Sequence, residues 1–376
     1  MPINHPSAER PPIIEQIRAE VRGYPDLIKK AAQMKPAAQD YPDPSETRYI
    51  FTLCTGNRWM ELGGREPEPK MLFGEFWHQG ELCILFADTN AGKSVLAVQI
   101  GNSITRHQQI GAFPLQVEKA VVLYVDFELM TKQFHLRYSD AAGDYEFSDR
   151  FYRAQFNQEN EMPTDSKTYD KYILAAIADR ISQIKATVLI IDNISCMRSG
   201  TENSRVALAL MKDLKALKYD YRLSVLVLAH TPKRNPAKPV TPDDLQGSKL
   251  LINFADSAFA IGKSKTQPGV NYLKQIKQRN TAEKYGAENV CLGRIIKPKN
   301  FVQFEFTGNG RERDHLYRPA HHEREQLAQQ IAGLARQGKS QRSISKELKI
   351  PLTTVNRLMP VNRLIGAQPP IDASSA

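Results

Sequence analysis

"ELCILFADTNAGKSVLAVQI", residues 81–100, runs an apolar stretch into a short loop and then into a helical period. A strand, a loop and a helix in that order are the context in which Gly92-Lys93-Ser94 reads as a phosphate-binding loop. The first turn of a helix offers unpaired N–H groups and the positive end of a dipole. The loop and the helix start, from Ala87 through Asp88, Thr89, Asn90, Ala91, Gly92, Lys93 and Ser94 to Val95, are therefore expected to cradle a polyphosphate. Gly92 is read as removing a Cβ that would block the phosphate. Lys93 would bring a positive charge to the β and γ phosphates, and the Ser94 hydroxyl would ligate Mg²⁺. Ala87 departs from the G-x-x-x-x-G-K-[ST] pattern at the loop's hinge rather than at its closest phosphate contact, so binding should survive.

Outward from this loop, residues 70–310 alternate short apolar runs with helical periods, the signature of βαβ units around a mainly parallel sheet. The runs are ELCILFA, AVVLYVDFE, RFYRAQF, ATVLIIDNI and LSVLVLAHT, with helices expected over 93–107, 168–185 and 203–219. DSAFAIGKS, VNYLKQIKQR, VCLGRII and FVQFEF lack long helices between them and should close one edge as antiparallel strands. Asp192 ends VLIID, so it should emerge where open α/β sheets place their ligands and help hold Mg²⁺; the plainer reading is a helix cap. Glu128 closes VVLYVDFE and could activate a water as general base, or be only a solvated charge at a helix start. His230 ends LSVLVLAH, where it could sense the γ-phosphate or merely cap a strand.

Together these residues resemble the RecA-like ATPases, particularly hexameric helicases of the RepA and DnaB type, over roughly 70–310. The resemblance implies ATP as substrate, Glu128 in "VDFELM" as the catalytic glutamate, Asp192 in "LIIDN" as the Walker B aspartate and His230 in "VLAHTPK" as the γ-phosphate sensor. "DLQGSKLLINFADSAFAI" (244–261) looks like the helicase segment in which a glycine-serine turn precedes a helix and a strand. "IKQRN" (276–280) is similar to the K-x-R motif, which would make Lys277 and Arg279 cations lent to a neighbouring subunit's site. An exposed basic strand is the alternative. There is no room for the N-terminal domain of DnaB-type helicases, so the shorter RepA type is the nearer pattern. Residues 1–69 read as an arm and lead-in, whose stretch Ile13, Ile14, Ile17 and Val21 could be the helix that docks on a neighbour in that family.

The loop TPKRNPAKPVTPDD (231–244) carries four prolines with Lys233, Arg234 and Lys238. It is read as a mobile basic excursion, lining the ring's channel against single-stranded DNA if the resemblance holds and a solvated surface loop otherwise. After an expected linker at 311–321, residues 322–360 return to helical periodicity: Leu327, Ile331 and Leu334, a stop at Gly338, then Ser340 as cap before Ile344 and Leu348, and finally Leu352, Val355 and Leu358. "QRSISKELKIPLTTVNRLM" resembles the helix-turn-helix of resolvase-like and regulator domains, which implies that Thr353, Thr354, Asn356 and Arg357 read duplex DNA, with Arg342 beside them. A protein-docking bundle would look similar. Residues 361–376 read as disordered.

With 376 residues, 51 Lys and Arg and 41 Asp and Glu, the chain carries +10, which favours polyanionic partners without identifying one. Four dispersed cysteines suggest neither a zinc site nor disulfides, and no apolar run has the ~20 residues of a membrane span, so a cytoplasmic location is expected. The expected architecture is thus α/β: a RecA-like P-loop core, mainly parallel with antiparallel edge strands, plus a small all-α helix-turn-helix module. The expected activity is ATP hydrolysis by a homo-oligomeric ring acting on single-stranded DNA in replication or mobilisation; a hexamer follows from the resemblance alone. The competing expectation is a DNA-binding ATPase switch that controls transcription or recombination without unwinding.

Overall fold

A computed structural model describes residues 51–157, 166–197, 204–245, 250–317 and 319–359. The apolar stretch at 13–21 and the tail at 361–376 lie outside them. The chain divides into two compact units, Met1–Glu68 and Pro69–Ala376. In the first, helix α1 (Gly56–Arg65) is capped by Thr55, and Glu61 pairs with Arg58 and Arg65 along its surface.

The second unit opens with β1 (Met71–Phe73), β2 (Trp77–His78) and β3 (Leu82–Ala87), followed by α2 (Lys93–Arg106) and β4 (Val122–Asp126). Then come α3 (Thr131–Arg137), the short β5 (Ser139–Asp140) and β6 (Gly143–Asp144), β7 (Phe151–Gln155), α4 (Ser166–Ile184) and β8 (Val188–Asp192). Helix α5 (Ser204–Asp220), β9 (Ser224–His230), α6 (Leu250–Phe254) and β10 (Ser257–Lys263) complete the crossovers. Strands β11 (Val270–Lys277), β12 (Val290–Ile296) and β13 (Gln303–Gly310) follow.

Nine strands form one sheet in the order β13-β12-β11-β10-β3-β9-β8-β4-β7. From β10 to β7 every pair is parallel, and β11, β12 and β13 join antiparallel, as the helix-poor sequence between them requires. Strand β3 is apolar throughout because both its faces are covered. Cys83, Leu85 and Ala87 face a core with α2 and an aromatic cluster around Phe73, Phe76 and Phe113. Leu82, Ile84 and Phe86 face the opposite core, with α4, α5 and α6. Each fully buried large side chain contributes about 1.5–3 kcal/mol, which fixes the register that delivers the loop after Ala87. The crossover from β3 leads past β9 to β4, whereas that from β9 leads back past β3 to β10, so the crevice at the C-terminal end of β3 is the ligand position of an open α/β sheet.

Two expectations change. The stretch 311–321 is not a plain linker: Glu312, His315 and Leu316 are buried, and Glu312 accepts from Lys274 Nζ (2.5 Å), Val240 N (2.6 Å) and Tyr272 Oη (3.2 Å). The same contacts correct the mobile reading of the loop at 231–244. Its prolines keep it out of the sheet, yet Val240 is buried on Glu312, and Tyr317 N donates to Pro236 O. Beyond it, α7 (Pro319–Arg336), α8 (Gln341–Glu347) and α9 (Leu352–Leu358) share a small core of Ile331, Ile344 and Val355. Gly338, at φ +83, ends α7, and Ser340 caps α8 by accepting from Ser343 N.

Candidate active site

Four strand ends build the site. Ala87 is the last residue of β3, in register with His230 on one side and Ile261 on the other, so the pattern's first glycine falls on ordinary strand backbone here. The bend comes later, at Asn90 (φ +58) and Gly92 (φ +93), before α2 starts at Lys93. Ala91 and Val95 are buried, which anchors the loop from beneath. The reason for Gly92 differs from the expected one: a Cβ there would lie 2.5 Å from Ile295 Cδ1 and 2.8 Å from Phe304 Cε2, so β12 and β13 leave it no room.

Lys93 is buried, and burial lowers its pKa against the opposing pull of Asp192, Glu128 and Asp88. Its Nζ donates to Ala87 O (3.1 Å) and lies 3.1 Å from His230 Nδ1. An ammonium only donates, so Nδ1 is the acceptor of this contact. The ring's Nε2 lies 3.1 Å from Glu128 Oε1, and Asn193 Nδ2 donates to the same oxygen. Asn193 is oriented by Ser195 N, which donates to its Oδ1 at 2.9 Å. The His230 hydrogen bond, with Lys93 and Asn193 behind it, holds Glu128 below the ordinary carboxylate range although burial pulls the other way. Glu128 is therefore ionised at neutral pH, as a general base must be.

Asp126 aims Glu128 without joining the chemistry. Its Oδ1 accepts from Glu128 N (3.0 Å) and Leu129 N (2.9 Å), and Arg153 Nε pairs with its Oδ2 at 2.8 Å. Asp192 is fully buried, and burial pushes its carboxyl up to about 6, with Ser94 and Tyr124 opposing the rise. Tyr124 Oη donates to Oδ2 (2.6 Å), while Oδ1 is buried without a hydrogen-bond partner. An orphaned carboxylate oxygen beside the Ser94 hydroxyl fits a divalent cation. Among the described residues no group of three or more His, Cys, Asp or Glu could hold a metal ion. Mg²⁺ here would thus rely on nucleotide phosphates and water for its remaining ligands, its ordinary habit.

Lys277 and Arg279 are not in this group. Lys277 Nζ donates to Ile252 O (2.7 Å) and Asn253 O (2.9 Å), and Arg279 pairs with Asp256 at 3.3 Å. Asp256 Oδ2 accepts from Leu82 N, at the start of β3, whereas the loop leaves β3 at its other end, roughly 17 Å along the strand. Of the expected DNA contacts, Lys233 and Lys238 are exposed. Arg234 is turned inward instead: its side chain is 8% exposed, and its Nε lies 3.8 Å from Asp88, which Thr231 also meets. That ion pair at the base of the phosphate loop turns the Arg234 side chain away from the exposed face that Lys233 and Lys238 present. Arg342, Thr353, Asn356 and Arg357 are exposed on α8 and α9, and Thr354 is half-buried.

Asn193, Tyr124 and Lys263 were not singled out by sequence, although Asn193 follows Asp192 directly. Asn193→Ala should lower kcat about 10–100-fold with ATP affinity nearly unchanged, because Glu128 loses the donor that fixes its carboxylate. Stopped-flow binding beside steady-state turnover checks this; an equal loss in affinity would contradict the assignment.

Among the described residues no helix is long and apolar enough to cross a membrane. Residues 53–236 match the family described as an AAA domain. No curated protein matches the sequence. Among solved structures, a KaiC-like protein from the hyperthermophilic archaeon Pyrococcus horikoshii OT3 is similar at 13% identity and a TM-score of 0.43, over 64% of this chain and 100% of that one. The AAA-domain match takes in the phosphate loop and the strands that end at Asp126, Asp192 and His230, in agreement with a phosphate-loop site on a mainly parallel α/β sheet.

Proposed function

We propose that the chain is an ATP-driven motor that works as a ring on single-stranded DNA, a replicative or mobilisation helicase of RepA-like type. One observation carries this reading: the hydrolytic groups gather at one end of β3, while Lys277 and Arg279 stand at the other, beyond reach of their own site. Cations held there are placed to serve another copy, and a head-to-tail contact of that kind gives a ring where its rotation closes.

In the reaction, ATP would draw Lys93 from His230 toward its β and γ phosphates. Ser94 and Asp192 would hold Mg²⁺, which when bound neutralises phosphate charge. Glu128 takes the proton of the attacking water as its oxygen bonds to the γ-phosphorus and the bond to the β-bridging oxygen breaks, leaving ADP and phosphate. Lys277 and Arg279 of the adjoining copy spread the charge of that transition state. His230, bonded to both Lys93 and Glu128, would link phosphate binding to the base. Lys233 and Lys238 follow the His230 strand and are suited to backbone phosphates of a single strand. The reading of α7–α9 as a helix-turn-helix for duplex rests on the exposed Arg342, Thr353, Asn356 and Arg357, with Thr354 behind them, and on seven basic against three acidic residues over 323–359.

The test is turnover with and without single-stranded oligonucleotide, together with opening of a forked duplex. A motor shows stimulation and strand separation. Binding to duplex with neither effect would favour the regulatory switch, for which the exposed face of α9 is the supporting feature.

A further inference from the structure

We infer that Lys263 is a second phosphate-binding cation of this site, acting within its own chain on the nucleoside side of the polyphosphate; this rests on the reading that the loop binds ATP. Lys263 is the last residue of β10, the strand beside β3 on the side away from the catalytic groups. Its Nζ donates to Thr89 O, in the middle of the phosphate loop, at 2.9 Å. Among the described residues no carboxylate lies within ion-pair distance of it. The acid nearest in sequence to that carbonyl, Asp88, is engaged by Thr231 and Arg234 instead.

Two ammonium groups therefore converge on one loop, Lys93 donating to Ala87 O and Lys263 to Thr89 O. Like charges on one loop repel, and an anion between them reverses the sign. Strand order then fixes which part of the anion each meets. Asp192 and His230 end β8 and β9 and Glu128 follows β4, all on one side of β3, so the γ-phosphate must lie there for Glu128 to activate its water. The remainder of the nucleotide extends toward β10. Lys263 thus faces the α and β phosphates, which ADP and ATP share.

Calorimetric titration of ADP and of a non-hydrolysable ATP analogue into the full chain tests this with K263A, K263Q and K263R. The expected result is an equal loss for both nucleotides, about tenfold, in K263A and K263Q, largely restored in K263R. Glutamine keeps a donor for Thr89 O but no charge, so native affinity in K263Q with loss in K263A would reduce Lys263 to a clip on the loop and overturn the inference. A loss confined to the ATP analogue would overturn its position, and unchanged affinity in all three would overturn it outright. Should the native chain bind neither nucleotide, the ATP reading itself fails, a result recognisable before any variant is made.

Discussion

Glutamine at position 128 should reduce ATP turnover by about 10³-fold or more while leaving nucleotide affinity within about threefold of native. The amide has the shape of the carboxylate, so His230 Nε2 and Asn193 Nδ2 keep an oxygen to which they can donate. What disappears is the negative charge that takes the proton of water. The hydrogen bonds that aim the side chain are made by the backbone at 128 and 129 to Asp126, so the fold should be unchanged. Single-turnover hydrolysis alongside equilibrium binding separates the two effects. Turnover within a few-fold of native would remove Glu128 from the chemistry. Lost binding would mean instead that the residue serves the loop.

The second large effect is expected at the far end of β3. With Lys277 and Arg279 both changed to alanine, turnover should fall about 10³-fold, the scale associated with arginine fingers, with ATP still bound because the phosphate loop is intact. Mixing distinguishes a lent cation from a local one. Chains lacking the pair keep a sound loop, and chains with Lys93→Ala keep a sound pair. Each is inactive alone, but in a randomly mixed ring about a quarter of the sites would join a good loop to a good pair and regain turnover. No recovery in verified mixed assemblies would sink the ring mechanism. The local cost of the double variant is small, because Asp256 keeps Lys218 Nζ (2.8 Å) and Leu82 N (2.9 Å) as partners.

The strand-to-helix passage at 81–100 was legible because a strand buried on both faces must be apolar throughout, and a phosphate loop must precede a helix. The ends of the apolar runs likewise marked Glu128, Asp192 and His230, since a polar group at the end of such a run stands at the edge where an open α/β sheet places its ligand. The sequence did not show how these groups meet. Asn193 bridges strands β4 and β9 through contacts 65 and 37 residues away along the chain, and no local period encodes such pairs. Arg234 was misread for a related reason. A basic, proline-rich loop looks solvated until Asp88, 146 positions earlier, and the buried Glu312 supply partners for it and its neighbours. Lys263 was hidden by its place as the last residue of β10, whose apolar run was read as one of the antiparallel edge strands although it lies inside the sheet, parallel to β3.

The hydrogen on Gly92 points at Ile295 and Phe304, and this changes what an alanine there would teach. Such a chain would suffer twice, from a left-handed backbone angle that suits only glycine and from a methyl group driven into two side chains of a distant hairpin. Its inactivity would report damaged carpentry rather than lost chemistry, and trimming position 295 alone would mend only half of it. The joint between loop and hairpin makes Gly92 a packing residue of β12 and β13 as well as a residue of the phosphate loop.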